Sequence, residues 1–298
     1  MRVFLTGGTG YVGSAVLESL VRGGHQVDAL VRHSEAAARV QARGATPVLG
    51  NLLQSASWRD AAAAADGAIH AAAEYGARVQ EIDAAAIDVL TSLPAKDNRF
   101  VIYTSGIWVL GPAPDPVDET APLNPLELVA WRPAHETRVL DAARSGVRAI
   151  VVRPGVVYGG SRGIVGDVLK DAANSLVRIV GKGDNHWPLI YDRDLGELYA
   201  RLVNRPEASG VYHATDGGQE TVNEIVAALA EHAPTEPSIR HVPLAEARKK
   251  MGPYADALAL DQIVRSPRAL ALGWAPTLRS VAGNAARLFE EWKRGKAA

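Results

Sequence analysis

The chain has 298 residues, 47% hydrophobic and 22% charged, with a formal net charge of -1 at pH 7, the balance of a globular protein of one large domain or two closely joined ones. That charge, with no block of like residues, excludes the electrostatic footprint of a nucleic-acid or anionic-membrane binder. The absence of cysteine excludes disulfides, thiolate metal sites and a cysteine nucleophile.

In chain order, short β-branched or apolar runs at residues 3–6, 27–31, 47–49, 67–70, 99–104 and 147–152 read as strands. Ala-rich amphipathic stretches at 12–22, 35–43, 55–65, 78–93 and 133–145 read as the helices between them. This alternation predicts an α/β fold, a Rossmann doubly wound parallel sheet with helices on both faces. Residues 111–125, rich in proline and acids, read as a surface loop. Beyond residue 153 the pattern loosens into helices at 165–175, 194–203, 222–232, 244–250 and 280–293, with strands around 189–191, 210–213 and 239–242. The expected organisation is a dinucleotide-binding core over 1–160, with returns near 185–215, and a smaller C-terminal substrate-binding part over most of 161–298. A strand starting at residue 2 leaves no room for a signal peptide, and no run of about 18 apolar residues is present, so a cytoplasmic location is expected.

The most informative segment is Gly7-Gly8-Thr9-Gly10-Tyr11-Val12-Gly13, directly after the first strand and directly before the first helix. In that context Gly7 permits a tight turn, Gly10 lets backbone approach a pyrophosphate and Gly13 lets helix pack on strand, while the helix N-terminus offers N–H donors. An acidic residue that would bind the ribose 2′-hydroxyl is expected about 20 residues further on. That region reads Val31-Arg32 instead, and an arginine suits a 2′-phosphate, so NADP is the expected cofactor. The alternative is that Arg32 is a solvated charge and Asp28 or another group reads the ribose.

The order and spacing of these residues resemble the extended and atypical short-chain dehydrogenase/reductases, the NAD-dependent epimerase/dehydratase family. The likeness includes Gly50-Asn51-Leu52 beside the adenine, Ile69-His70-Ala71-Ala72 and Ala73 along the cofactor, and Tyr103-Thr104-Ser105-Gly106 at the fifth strand's end. It continues through Arg153-Pro154-Gly155-Val156-Val157-Tyr158-Gly159 and Tyr191-Asp192-Arg193-Asp194-Leu195. The resemblance implies that Asn51, Leu52, Ala71, Ala72, Ala73, Thr104 and Pro154 contact cofactor.

The family's chemistry rests on a tyrosine with a lysine four residues later, and no tyrosine of this chain has one. Anchoring on Glu136 and Arg153-Pro154 places Arg132 at the lysine position and Leu128 at the tyrosine position; an alternative, shifted register places Trp131 at the tyrosine position and His135 at the lysine position instead. Pro133 puts a helix start here, with Arg132 at its entrance, able to reach ribose or phosphate oxygens or to serve as a surface charge. Ser105 is a candidate contact at the fifth strand's end. Candidate replacements for the missing acid are Tyr75, in a loop expected to pass near the nicotinamide, and His186, in the cluster His186-Trp187-Tyr191. The reading of Tyr75 as a packing or solvent-exposed residue is favoured over the acid role, and Tyr158 and His70 read as structural groups. The eight histidines show no ligand spacing, so no metal is expected.

Two classes of function follow. One is an NADP-dependent oxidoreductase acting on a small carbonyl, enone or imine with a non-standard proton donor. The other is a non-catalytic NADP-binding sensor, with an epimerase or dehydratase that retains its nucleotide as a further alternative. The partner expected is a small-molecule substrate, without nucleic acid or membrane, and the resemblance is compatible with a homodimer.

Overall fold

The computed structural model describes residues 1–74, 76–94 and 96–297. The chain divides into two compact units, the first comprising Met1–Ser105, Trp131–Arg153 and Leu195–Tyr212 and the second Gly106–Ala130, Pro154–Asp194 and His213–Ala298. In chain order the elements are β1 (Arg2–Thr6), α1 (Tyr11–Arg22), β2 (Gln26–Val31), α2 (Ser34–Gln41), β3 (Thr46–Leu49), α3 (Arg59–Ala64), β4 (Gly67–His70), α4 (Val79–Thr91), β5 (Phe100–Thr104), β6 (Ala113–Val117), α5 (Arg132–Asp141), β7 (Arg148–Pro154) and β8 (Val156–Tyr158). They continue with α6 (Gly163–Ala173), β9 (Leu176–Val180), β10 (Leu189–Tyr191), α7 (Asp192–Val203), β11 (Gly210–Ala214), α8 (Val222–Ala230), β12 (Ser238–Val242), α9 (Leu244–Met251), α10 (Tyr254–Ala259), β13 (Gln262–Val264), α11 (Pro267–Ala271) and α12 (Ala285–Ala297).

A seven-stranded sheet in the order β11-β7-β5-β4-β1-β2-β3 organises the first unit, with parallel pairing at each step from β7 to β3. Strands covered on both faces must be apolar throughout, which is why β1, β2, β4 and β5 read as continuous hydrophobic runs. One face buries Phe4, Trp58, Ile87, Tyr103, Val139 and Val151 in a single cluster. Gly196 allows α7 to pack closely on α1, since a β-carbon there would stand 2.5 Å from the Ala15 carbonyl oxygen. The chain runs from β1 outward through β2 and β3, then returns to the other side of β1 with β4. The order therefore reverses between β1 and β4, and the crevice at their carboxyl ends is where such sheets bind ligands.

The second unit holds three two-stranded pairs, β10-β8, β12-β9 and β13-β6. Its main core gathers Tyr158, Leu169, Trp187, Tyr191, Ile225, Val281 and Trp292.

Four local expectations are corrected. The stretch 111–125 contains strand β6, paired with β13. Ala113 N donates to Asp261 O and Arg265 N donates to Val117 O, so Pro114 and Pro116 alternate with the bonded residues and their missing N–H groups lie on the free edge. The helix expected over 55–65 is broken at Trp58, whose φ of -143° is not helical and whose buried indole stacks on Phe4 at 5.5 Å. The helix expected over 133–145 ends at Asp141 and tightens into a 3₁₀ turn. The helix expected from 280 is a 3₁₀ turn over Ala282–Asn284 before α12. Strand β9 and helices α10 and α11 lie in stretches to which no element was assigned.

Candidate functional site

The glycine loop leaves the carboxyl end of β1 and enters α1. Gly7 has φ +80°, and a β-carbon on it would stand 2.5 Å from the Ala71 carbonyl oxygen, so both conformation and the neighbouring turn after β4 require glycine. Gly10 N donates to Gly7 O at 2.8 Å, closing the turn, and Gly10 is the N-cap of α1 with no side chain bonded to the first turn. Thr9, Gly10, Tyr11 and Val12 are half-buried around this N-terminus. Backbone donors and the positive end of the helix dipole are therefore presented by a tight turn that a side chain at Gly7 or Gly13 would force open against neighbouring backbone. The residues fit the pyrophosphate of a dinucleotide.

At the end of β2, Val31 is buried and Arg32 is 70% exposed, with Nη1 3.5 Å from Glu74 Oε2. Asp28, the alternative ribose reader, is buried within β2 and held by Arg2 Nε, so its carboxylate is not at the strand's carboxyl end. Gly50 N donates to Val31 O, bringing Gly50-Asn51-Leu52 beside that strand end. Asn51 Oδ1 accepts from Leu53 N, leaving the side-chain NH₂ outward, and Leu52 packs on the core cluster. Ala71 and Ala72 are half-buried and Ala73 is exposed beside the loop.

A polar network fills the space behind the carboxyl ends of β1, β4 and β5, and its centre is Asp83 on α4. His70 Nε2 lies 3.2 Å from Asp83 Oδ1; His135 Nδ1 and Tyr103 Oη lie 2.6 and 2.9 Å from Oδ2. The second nitrogen of His70 meets Thr6 Oγ1 at 2.6 Å. Burial pushes the Asp83 carboxyl up, but the bonds from His135 and His70 and the charges of His70 and Arg132 outweigh it and hold the group far below the usual carboxylate range. Burial and the Asp83 charge push the Tyr103 phenol well above its ordinary value. Arg132, the first residue of α5, donates from Nη1 to Thr104 O at 3.0 Å and to Tyr103 Oη at 3.3 Å, with its guanidinium 4.6 Å from the Trp131 ring centre. Thr104 Oγ1 meets Tyr199 Oη at 2.7 Å.

Of the three candidate acids or contacts, Tyr75 lies outside the described residues. Ser105 is buried, and its hydroxyl donates to Glu136 Oε1, which also accepts from Arg153 Nε at 3.0 Å. Its proton is thereby committed, and lone pairs are what it retains for another partner. His186 belongs to the second unit, where its backbone N–H and Nδ1 both meet Asp261 Oδ1, at 2.9 and 2.8 Å. Pro154 ends β7, and the following Gly155 donates to Ala214 O. His70 has both nitrogens engaged and Tyr158 is fully buried, as structural residues should be.

Asp83 was not singled out from sequence as a site residue, and His135 entered only through the alternative register. A signal existed: Asp83 interrupts the buried stripe of α4, otherwise made of Ile82, Ala86, Ile87 and Leu90. Among the described residues no group of three or more His, Cys, Asp or Glu could hold a metal, and no helix is long and apolar enough to cross a membrane.

Within the second unit, a cavity of about 340 Å³ is lined by Ile164, Val168, Trp187, Val226 and Leu258, with Arg178 and Arg240 among its charged residues. Asp216 is buried in the same unit. Burial raises its carboxyl to about 7, against the lowering effect of bonds from Gly218 N and the Tyr158 phenol.

Sheet order, crevice and glycine cradle define a Rossmann-type nucleotide-binding protein. Residues 3–215 match the model of the NAD dependent epimerase/dehydratase family, and the chain belongs to that family. It is 30% identical to an uncharacterized protein of Schizosaccharomyces pombe over 93% of this chain and 95% of that one. It is 31% identical to the 4-hydroxy-2-methyl-3-oxo-4-farnesyl-3,4-dihydroquinoline-1-oxide ketoreductase of Stigmatella aurantiaca, over 83% of this chain and 78% of that one. Among solved structures, the human epimerase family protein SDR39U1 (isoform 2), with NADPH, superimposes with a TM-score of 0.75 at 22% identity, covering 97% of this chain and 99% of that one.

Proposed function

We propose that the protein is an NADP-dependent oxidoreductase that reduces a carbonyl, enone or imine group of a small molecule. The observation that carries this reading is the pairing of an intact glycine cradle with an exposed arginine, in place of an acidic residue of the strand, at the end of β2. The ketoreductase among the relatives and the NADPH in the human structure support it.

In this reading Gly7, Thr9, Gly10, Tyr11, Val12 and Gly13 hold the pyrophosphate and Arg32 exchanges its weak pairing with Glu74 for the 2′-phosphate. Asn51 and Leu52 flank the adenine, and Ala71, Ala72 and Ala73 line the cofactor's path. Thr104, Arg132 and Pro154 border the nicotinamide end, with Ser105 beside them; Tyr75 and His186 are the other groups to test by substitution. When bound, the reduced nicotinamide supplies hydride to the substrate; the chain supplies orientation and electrostatics.

The second reading, a dinucleotide-binding sensor, is favoured by one observation, that no tyrosine of the chain has a lysine four residues on. Following NADPH fluorescence and consumption against a panel of ketones, enones and imines decides between them. Tight NADPH binding with turnover of at least one compound is expected; tight binding without any turnover identifies the sensor, and preference for NADH overturns the role of Arg32.

A further inference from the structure

Reduction of a carbonyl needs a proton on the substrate oxygen as well as a hydride on carbon, and the network around Asp83 contains a group arranged to deliver one. We infer that His135, oriented by Asp83, is the catalytic acid of this protein. The inference rests on the oxidoreductase reading.

The position is suitable because Thr6, His70 and Tyr103, which share the network with His135, stand in the last two residues of β1, β4 and β5, at the end of the sheet where ligands bind. The orientation is fixed. Nδ1 is held by the Asp83 carboxylate at 2.6 Å, and the ring meets Trp131 edge-on with centroids 4.9 Å apart. Nε2 has no partner among the described residues, and the side chain keeps 10% of its exposure. An anionic Asp83 accepts the Nδ1 proton, so a second proton on this imidazole sits on Nε2, the division of labour of any carboxylate-oriented histidine acid.

The other protonic groups of the network are excluded by their bonds. His70 has both nitrogens engaged and is 2% exposed. The Tyr103 phenol donates to Asp83 and is pushed far above the range in which it could release its proton, by burial first and by the Asp83 charge second. Burial does the same to Tyr199, which is bonded to Thr104. The charged and titratable groups around His135 are Asp83 from α4, His70 from β4, Tyr103 from β5, and Arg132 and Glu136 from α5. Glu136 is neutralised by Arg153 of β7.

As hydride supplied by the reduced nicotinamide forms the new C–H bond, the carbonyl π pair moves to oxygen. The Nε2–H bond breaks, its proton forms the O–H bond of the alcohol, and its electron pair stays on Nε2. Water then returns a proton to the neutral imidazole.

Two measurements test the inference. In protein labelled with ¹⁵N-histidine, addition of NADP⁺ is expected to move the Nε2 resonance of His135 while its Nδ1 stays protonated. Binding of NADP⁺ that leaves His135 unmoved overturns the assignment whatever the turnover. His135→Asn keeps an N–H for Asp83 and has no proton to give. It is expected to lower kcat about 10²- to 10⁴-fold, with NADPH affinity and Tm close to those of the parent. Unchanged kcat in His135→Asn overturns the inference while the oxidoreductase reading stands, and transfer of the role to the phenol is then shown by loss of activity in Tyr75→Phe. Wild-type protein that turns over no compound sinks the oxidoreductase reading and this acid with it.

Discussion

A β-carbon on Gly13 would stand 2.0 Å from the carbonyl oxygen of Gly7, so the two glycines are in mutual contact across the turn between β1 and α1. The Gly7 carbonyl is itself the acceptor for Gly10 N, and any push from position 13 therefore opens the whole loop. Gly13→Ala is expected to weaken NADPH binding at least about tenfold, equivalent to about 1.4 kcal/mol. Fluorescence titration reads this directly, and parental affinity in a folded Gly13→Ala protein would remove the loop from the cofactor site.

Arg32→Ala should separate the two nicotinamide cofactors. The ion pair it breaks with Glu74 is exposed on both sides, so stability should change by no more than about 0.5 kcal/mol. NADPH affinity is expected to fall while NADH affinity holds, measured by parallel titrations. A proportional loss for both cofactors would contradict a 2′-phosphate contact.

Asp216 makes stability depend on pH with a definite sign. Its folded carboxyl titrates near 7 because burial penalises the charge, whereas an exposed aspartate titrates near 3.8. The folded state thus holds its proton more tightly than the unfolded one. This contribution to stability is complete below about pH 4 and is lost as pH rises through 7. Asp216→Asn, neutral throughout, should flatten the decline in Tm between pH 4 and 8. A decline that survives the substitution would show that another group is responsible.

The buried pair Glu136–Arg153 should matter more to stability than the hydroxyl that shares it. Glu136→Ala removes the carboxylate from a buried ion pair whose arginine side chain is 5% exposed and is expected to cost about 3–5 kcal/mol. Ser105→Ala removes one hydrogen bond to a carboxylate that keeps its arginine, expected to cost about 1–2 kcal/mol. Urea unfolding of both variants checks the ranking, and equal losses would mean that Ser105 organises the pair rather than joining it.

The parts legible in sequence share a physical cause. The strands β1, β2, β4, β5 and β7 are buried on both faces, so each must be a short apolar run, and the glycine loop declares itself because Gly7 and Gly13 tolerate no side chain. The start of α5 at Arg132 was readable from Pro133, which has no N–H to lose at a helix entrance. By contrast, β6 and β13 are brief, and nothing near residues 113–117 announces a partner at 262–264. Trp58 broke an Ala-rich helix because a distant surface under Phe4 was available to its indole.

The sequence by itself determined the doubly wound sheet, the nucleotide loop and the arginine at the end of β2, because each depends on residue types within one short stretch. Only the tertiary structure decided which polar groups gather behind the ends of β1, β4 and β5. Thr6, His70, Asp83, Tyr103, Arg132 and His135 come from five separate elements of the chain, and they become one hydrogen-bonded network only when β1, β4 and β5 align beneath α4 and α5. A buried carboxylate must find donors wherever folding puts them, and that requirement has no fixed spacing in sequence.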